Sequence, residues 1–232
     1  MVIGGLQKNS FIDYPGKISC VVFVSGCNFH CPYCHNPRLA KNNPAQSFSL
    51  NGEEVFEFLE MRKPFLEGVV ISGGEPTLHK DLVYLCERIK KMEYPVKLDT
   101  NGSRPQALKE LIKEKLVDYI AMDIKTDPHH YSLYIKRDCD PNSIISCIQI
   151  IMESDIDYEF RTTCVKPIVN ADAIENIARI IQGCKLYALQ RFNHAEVLEP
   201  QFFKDVNAAF DEDEFMSLRS LAAPWVEKCI IR

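Results

Sequence analysis

An open, partial (β/α)6 TIM-like barrel is the fold predicted for this 232-residue chain, and three observations carry that prediction. Short apolar runs alternate with segments of helical period. Each run is separated from the next by enough chain for a crossover. Chemically capable polar residues recur at or near the C-terminal ends of the runs. Alternation of this kind specifies a parallel sheet covered by helices, and in a barrel those strand ends share one mouth. Six units are too few to close an eight-stranded barrel, so the sheet is expected to stay open.

In order, a turn at Pro15-Gly16 leads into a strand from Ile18 to Val24, then a cysteine-rich loop and a polar connector from Pro37 to Ser47. Asn51 to Met61 has helical spacing, with Val55, Phe56 and Leu59 on one face. The continuous apolar run Gly68–Ile71 reads as a buried parallel strand feeding the loop Ser72-Gly-Gly-Glu-Pro76. Asp81 to Lys91 is a helix with Leu82, Leu85, Cys86 and Ile89 on one stripe. Val96–Leu98 is a strand ending in Asp99-Thr-Asn-Gly102, and Pro105 to Lys115 is a helix with proline in its first turn. Tyr119–Ile124, Tyr158–Val165 and Lys185–Gln190 are strands; Asn142–Ser154 and Ala171–Gln182 are the helices between them. Glu212–Leu221 is a late helix, and Val226–Ile231 a terminal strand. No Gly-, Ser- or Pro-rich linker divides the chain, which reads as one domain over residues 1–232.

The composition, 46% hydrophobic and 25% charged, is that of an ordinary globular protein. A formal charge of −5 argues against a dedicated nucleic-acid binder, which carries a basic stripe. The N-terminal segment lacks the charged and apolar regions of a secretory signal. No apolar run approaches the roughly 20 residues that span a bilayer. A cytoplasmic protein with no membrane or nucleic-acid partner is expected, in a compartment where thiols stay reduced. Of the ten cysteines, Cys20, Cys86, Cys139, Cys147, Cys164, Cys184 and Cys229 lie mostly in apolar contexts and read as small buried hydrophobes.

The remaining three, Cys27, Cys31 and Cys34, crowd the stretch Cys27-Asn-Phe-His-Cys31-Pro-Tyr-Cys34-His35-Asn36 directly after a strand. A closed structural zinc site takes four ligands, whereas three thiolates on a cubane iron–sulfur cluster leave one iron open. A zinc module completed by His35 would leave the glycine-rich and acidic strand ends without a purpose.

The Cys-x3-Cys-x2-Cys spacing, Ser72-Gly-Gly-Glu-Pro76, Asp99-Thr-Asn-Gly102 and Met122-Asp-Ile-Lys125 together resemble the radical S-adenosylmethionine (SAM) superfamily. The segments Phe11-Ile-Asp-Tyr-Pro-Gly-Lys17 and Cys34-His-Asn-Pro37 make the chain most similar to its glycyl-radical-enzyme activases, in particular the activating proteins of anaerobic ribonucleoside-triphosphate reductase and of pyruvate formate-lyase. The resemblance runs from about Gly4 to Phe192. It implies a partial barrel of the radical SAM type with a [4Fe–4S] cluster on Cys27, Cys31 and Cys34, and SAM bound at the open iron. Reductive cleavage would give a 5′-deoxyadenosyl radical that installs a glycyl radical on a partner enzyme. A flavodoxin or ferredoxin-type electron donor is implied as well. A compact small-molecule enzyme of the 7-carboxy-7-deazaguanine synthase kind is the alternative within the superfamily.

The resemblance also implies roles by position. Gly73, Gly74 and Glu75 would meet the amino group of SAM, with backbone free to approach where Cβ atoms are missing. Tyr33 would contact the adenine end, and Asn36 a polar ligand edge, unless its amide closes an Asx turn before Pro37. Asp123 and Lys125, two apart on one strand and so on one face, suit ribose hydroxyls and a carboxylate, with Ile124 between them. Asp99 and Thr100 resemble donors to a monovalent cation or to SAM, with a structural cap as the other reading of Asp99. Arg161 could pair with the SAM carboxylate or form a barrel-lining ion pair with Asp99 or Asp123. At the sixth strand the activases of the pyruvate formate-lyase kind place a histidine after an aromatic residue. Here Phe192 is followed by Asn193, with His194 one place later, and either could make the last contact. His35 is expected beside the cluster rather than on it. Residues 35–72 lack cysteine, so one cluster is expected.

Overall fold

The computed structural model describes residues 1–41, 51–135, 139–193 and 196–232. Among these residues eight strands form one sheet in strictly sequential order: β1 (Ile3–Ser10), β2 (Ser19–Val24), β3 (Gly68–Gly73), β4 (Val96–Thr100), β5 (Tyr119–Asp123), β6 (Asp157–Cys164), β7 (Tyr187–Arg191) and β8 (Cys229–Ile231). Strands β2 to β8 are parallel neighbours, as helical crossovers require. The two edges, β1 and β8, do not pair with each other, so the barrel is open. The helices are α1 (Pro37–Ala40), α2 (Gly52–Arg62), α3 (Leu82–Lys91), α4 (Pro105–Lys113), α5 (Tyr131–Tyr134), α6 (Pro141–Met152), α7 (Ala171–Ile180) and α8 (Glu212–Ala222).

Strands β2 to β7 are the six expected units, and the additions lie at the edges. β1 was not expected, and it runs antiparallel to β2. Its sequence, Ile-Gly-Gly-Leu-Gln-Lys-Asn-Ser, lacks the apolar alternation of a half-buried strand, because as an edge strand it is mostly exposed or half-buried. The terminal strand is confined to Cys229–Ile231. Residues 42–47 of the polar connector lie outside the described residues, and its first residues form α1.

Local chemistry sets the helix starts. Asn51 and Glu54 form a capping box on α2, and Asp211 and Glu214 form another on α8. Asn170 caps α7 through Ala173 N, and Pro105 occupies the first turn of α4. Strand residues alternate between two environments. Val22, Ile71, Leu98, Ile120, Met122 and Phe160 join helix residues such as Leu59, Leu85, Leu108, Ile148 and Ile177 in one large core. The opposite face is the lumen, where Tyr14, Val21 and Val70 form a small separate cluster against Phe23 and Tyr119. Beyond it, toward the strands' C-terminal ends, the lumen turns polar. Six of the seven scattered cysteines are buried; Cys139 is half-buried.

Candidate active site

Directly after β2 the backbone is stapled in place: Ser25 N donates to Val2 O at 2.9 Å and Gly26 N to Leu39 O at 2.7 Å. The cysteine loop then turns back on itself through Cys34 N to Cys31 O at 3.0 Å and is tied to the far side of the mouth by His30 N to Ile135 O at 2.9 Å. Tyr131 on α5 braces both sides. Its ring meets Phe29 edge-on at 5.7 Å, and its hydroxyl accepts from Lys125 N at 2.8 Å. Cys27, Cys31 and Cys34, all free thiols, open onto one cavity of about 400 Å³ at the barrel mouth. Burial pushes the Cys31 thiol up to about 12, and it raises that of Cys27. A tetrahedral zinc ion needs all its sulfur donors at about 2.3 Å from one point. Among the described residues no three His, Cys, Asp or Glu side chains converge in that way. Thiols that each bind a different iron of a cubane need no such common point.

The glycine-rich loop docks on the cysteine loop. Gly74 N donates to Val24 O and Glu75 N to Gly26 O, both at 2.8 Å. A Cβ on Gly74 would lie 2.0 Å from Gly26 O, and one on Gly73, whose φ is +115°, would lie 2.5 Å from Val24 O. Glycine is therefore required here by the chain's own backbone, while the edges of both residues line the cavity. Glu75 departs from the expected ammonium acceptor. Its carboxylate is fully buried and turned inward, accepting from Thr77 N at 3.0 Å, Thr100 Oγ1 at 2.8 Å and Asn101 N at 2.6 Å. Burial raises its pKa while these donors pull it back. It clamps the Gly73–Gly74 loop to the end of β4.

Charge gathers on the lumen floor. Asp123 accepts from Arg161 Nε at 2.7 Å and from Lys125 Nζ at 2.9 Å. Arg161 also approaches Asp99 at 3.5 Å and Glu159 at 3.9 Å. Burial raises the Asp123 carboxyl, but the two cations outweigh it and hold the group well below the usual carboxylate range. Burial likewise opposes charge on Lys125 and Arg161, and the Asp123 carboxylate overcomes it in both. Asp99 accepts from Ser72 Oγ at 3.0 Å and from Lys97 Nζ. Thr100 lines the cavity while its hydroxyl is committed to Glu75.

Tyr33 is buried against the cavity, and its hydroxyl has no hydrogen-bond partner among the described residues. Burial raises that phenol well above its ordinary value. Asn36 lines the cavity and makes no side-chain cap, so the Asx-turn alternative is not realised. His35 stacks on Phe192 at 5.6 Å with rings 9° from parallel, and its Nε2 bonds Asn193 O at 2.9 Å. These contacts commit the ring to the segment after β7. Asn193 thus reaches the site through its carbonyl and His35; His194 lies outside the described residues. Ile124 is fully buried away from the cavity, its N donating to Arg161 O and its O accepting from Thr162 Oγ1, each at 2.8 Å.

Several site residues were not anticipated. Asn101 Nδ2 lies 3.8 Å from Cys27 Sγ and 3.0 Å from Asn28 Oδ1, linking the end of β4 to the cysteine loop. Lys97 is only 1% exposed and Glu159 1% exposed, both on the lumen face. Asp13, Thr163 and Gln190 complete the cavity wall. The signal for Lys97 and Glu159 lies in the sequence, since each stands two residues before an expected lumen charge, Asp99 or Arg161, on the same strand.

The family model of the radical SAM superfamily matches residues 21–181. A Methanocaldococcus jannaschii protein assigned as a glycyl-radical enzyme activating enzyme is 36% identical over 236 residues, covering 100% of this chain and 95% of its own. The pyruvate formate-lyase-activating enzyme of Clostridium pasteurianum is 33% identical over 133 residues, 54% of each chain. The crystal structure of Streptococcus suis SuiB shares the fold with a TM-score of 0.68 at 15% identity; the match covers 91% of this chain and 48% of that one.

Proposed function

The chain belongs to the radical SAM superfamily, in the branch of the glycyl-radical enzyme activating enzymes, and on that footing we propose that it installs a glycyl radical on a partner enzyme, with anaerobic ribonucleoside-triphosphate reductase as the first candidate. The observation that carries this reading is the common opening of three free thiols, the Gly73–Gly74 edge and the Asp123–Lys125 pair onto one cavity. The residues fit a three-thiolate [4Fe–4S] cluster with SAM beside it. The thiols are soft donors without disulfide partners, and Tyr33 offers an unpaired buried hydroxyl at the same place.

Cys27, Cys31 and Cys34 would hold the cluster. When bound, it supplies the electron that splits SAM into methionine and a 5′-deoxyadenosyl radical. The protein's part is aim and electrostatics. Gly73 and Gly74 present backbone to the methionine end. Asp123, held ionised by Arg161 and Lys125, is an acceptor for ribose hydroxyls, and Lys125 is a donor to the SAM carboxylate. Tyr33 and Asn36 bound the nucleoside. Glu75 acts as a positioning residue for the glycine loop rather than as a ligand. A hydrogen atom moving from a glycine Cα of the partner to the 5′ carbon would leave 5′-deoxyadenosine and a glycyl radical on the partner. We further take residues 1–232 as one domain, working in the cytoplasm with a flavodoxin or ferredoxin-type donor and no nucleic-acid or membrane partner. Among the described residues no helix is long and apolar enough to cross a membrane.

The test is anaerobic reconstitution followed by mixing with SAM, a reductant and the candidate reductase. A glycyl-radical signal in electron paramagnetic resonance, with 5′-deoxyadenosine released, is expected. Cofactor cleavage with no radical on any glycyl-radical protein would move the assignment to a small-molecule substrate.

A further inference from the structure

Lys97 is the one lysine side chain among the described residues that is nearly sealed from solvent, 1% exposed, and it lies beneath the cavity rather than in its wall. It sits two residues before Asp99 on β4, so both project into the lumen. Its ammonium bonds Asp99 Oδ1 from below, while Ser72 Oγ at 3.0 Å and Arg161 Nη2 at 3.5 Å take Oδ2. Burying an ammonium is costly unless it is paired and fixed, and here Asp99 supplies the pairing. The remaining floor carboxylates are matched in the same way: Asp123 by Arg161 and Lys125, and Glu159 by Arg161 at 3.9 Å and Arg232 at 2.7 Å. Asp13, in the wall, is bonded to Ser10 Oγ.

We propose that Lys97 is a built-in counter-ion, which places a fixed positive charge under Asp99 and makes binding of SAM independent of any dissolved monovalent cation. A carboxylate at a ligand site can be neutralised by a bound metal ion or by a tethered ammonium of the same charge. The tethered ion is always present, so its effective concentration does not vary with the salt around the protein. Lys97 is thereby a positioning residue. It touches no ligand, but it fixes the rotamer and charge of Asp99, whose carboxylate edge faces the cavity. The inference rests on the reading of that cavity as a SAM site.

The experiment is equilibrium dialysis of SAM against the reconstituted, cluster-loaded protein, in potassium, sodium or tetramethylammonium chloride at one ionic strength. Wild type is expected to bind equally in all three. Lys97→Ala is expected to lose about tenfold or more in affinity in tetramethylammonium and to recover in potassium or sodium, ions small enough for the vacated space. A merely structural role would show no such salt-selective rescue. Lys97→Arg, which keeps the charge, should bind with the salt independence of wild type. Should Lys97→Ala not fold, the wild-type comparison still decides: a dissociation constant that falls severalfold when potassium or sodium replaces tetramethylammonium overturns the proposal. Equal affinity of a folded Lys97→Ala in every salt overturns it too. Absence of SAM binding by wild type in any salt would overturn the site assignment itself.

Discussion

The two faces of the same strands obey opposite rules. On β6, Tyr158, Phe160, Thr162 and Cys164 point into the helix-covered core, while Glu159, Arg161 and Thr163 point into the lumen. On β4, Val96 and Leu98 face the core, and Lys97 and Asp99 the lumen. The outer face is held by apolar packing, which is non-directional and tolerates similar shapes. The lumen is held by paired charges, which tolerate loss of a whole pair better than loss of one partner. Residues one position apart in sequence should therefore fail in different ways.

The largest expected effect lies at the mouth. Replacing Cys27, Cys31 or Cys34 with alanine should remove cluster iron and abolish SAM cleavage, while the cluster-free chain keeps its stability within about 1 kcal/mol. Iron analysis and chemical denaturation measure the two halves of that outcome. Next comes the lumen. Arg161→Met leaves Asp99, Asp123 and Glu159 short of a shared cation, and should cost about 3–5 kcal/mol. Adding Asp123→Asn should recover part of that loss, and a urea titration of the single and double variants would expose a lumen that does not behave as a charge network. By contrast, Leu98→Met on the outer face, a volume-conserving swap at a fully buried position, should cost less than about 1.5 kcal/mol, with SAM affinity unchanged.

A smaller effect separates the faces by pH. The Asp123 carboxyl titrates below its ordinary value, because Arg161 and Lys125 outweigh the opposing burial. Its contribution is complete above an unfolded-state pKa of about 3.9 and is lost as pH falls toward the depressed folded value. Wild type should therefore shed stability below about pH 4 that Asp123→Asn does not shed; acid titrations of the two proteins that run parallel would disprove it.

Much of this was legible in the chain. Six parallel strands, their crossover helices and the shared mouth follow from hydrophobic period, because one period of burial leaves one pattern. The three-cysteine loop announced itself by spacing. What escaped was β1, whose exposed edge position requires no apolar alternation, and the inward turn of Glu75. Thr77, two residues on, is a local donor to that glutamate, but Thr100 and Asn101, which hold it against β4, arrive from a distant part of the chain.

Gly73 and Gly74 mark the same boundary. Sequence alone determined that close approach of backbone occurs there. Tertiary structure decided what approaches, namely the Val24–Gly26 backbone that leads to Cys27. Likewise the pattern Val96-Lys-Leu-Asp set Lys97 and Asp99 on one face, but only the curvature of the sheet closed that face into a lumen and sealed the lysine inside it. Local periodicity fixes which way a side chain points; what it meets depends on partners that arrive from distant parts of the chain.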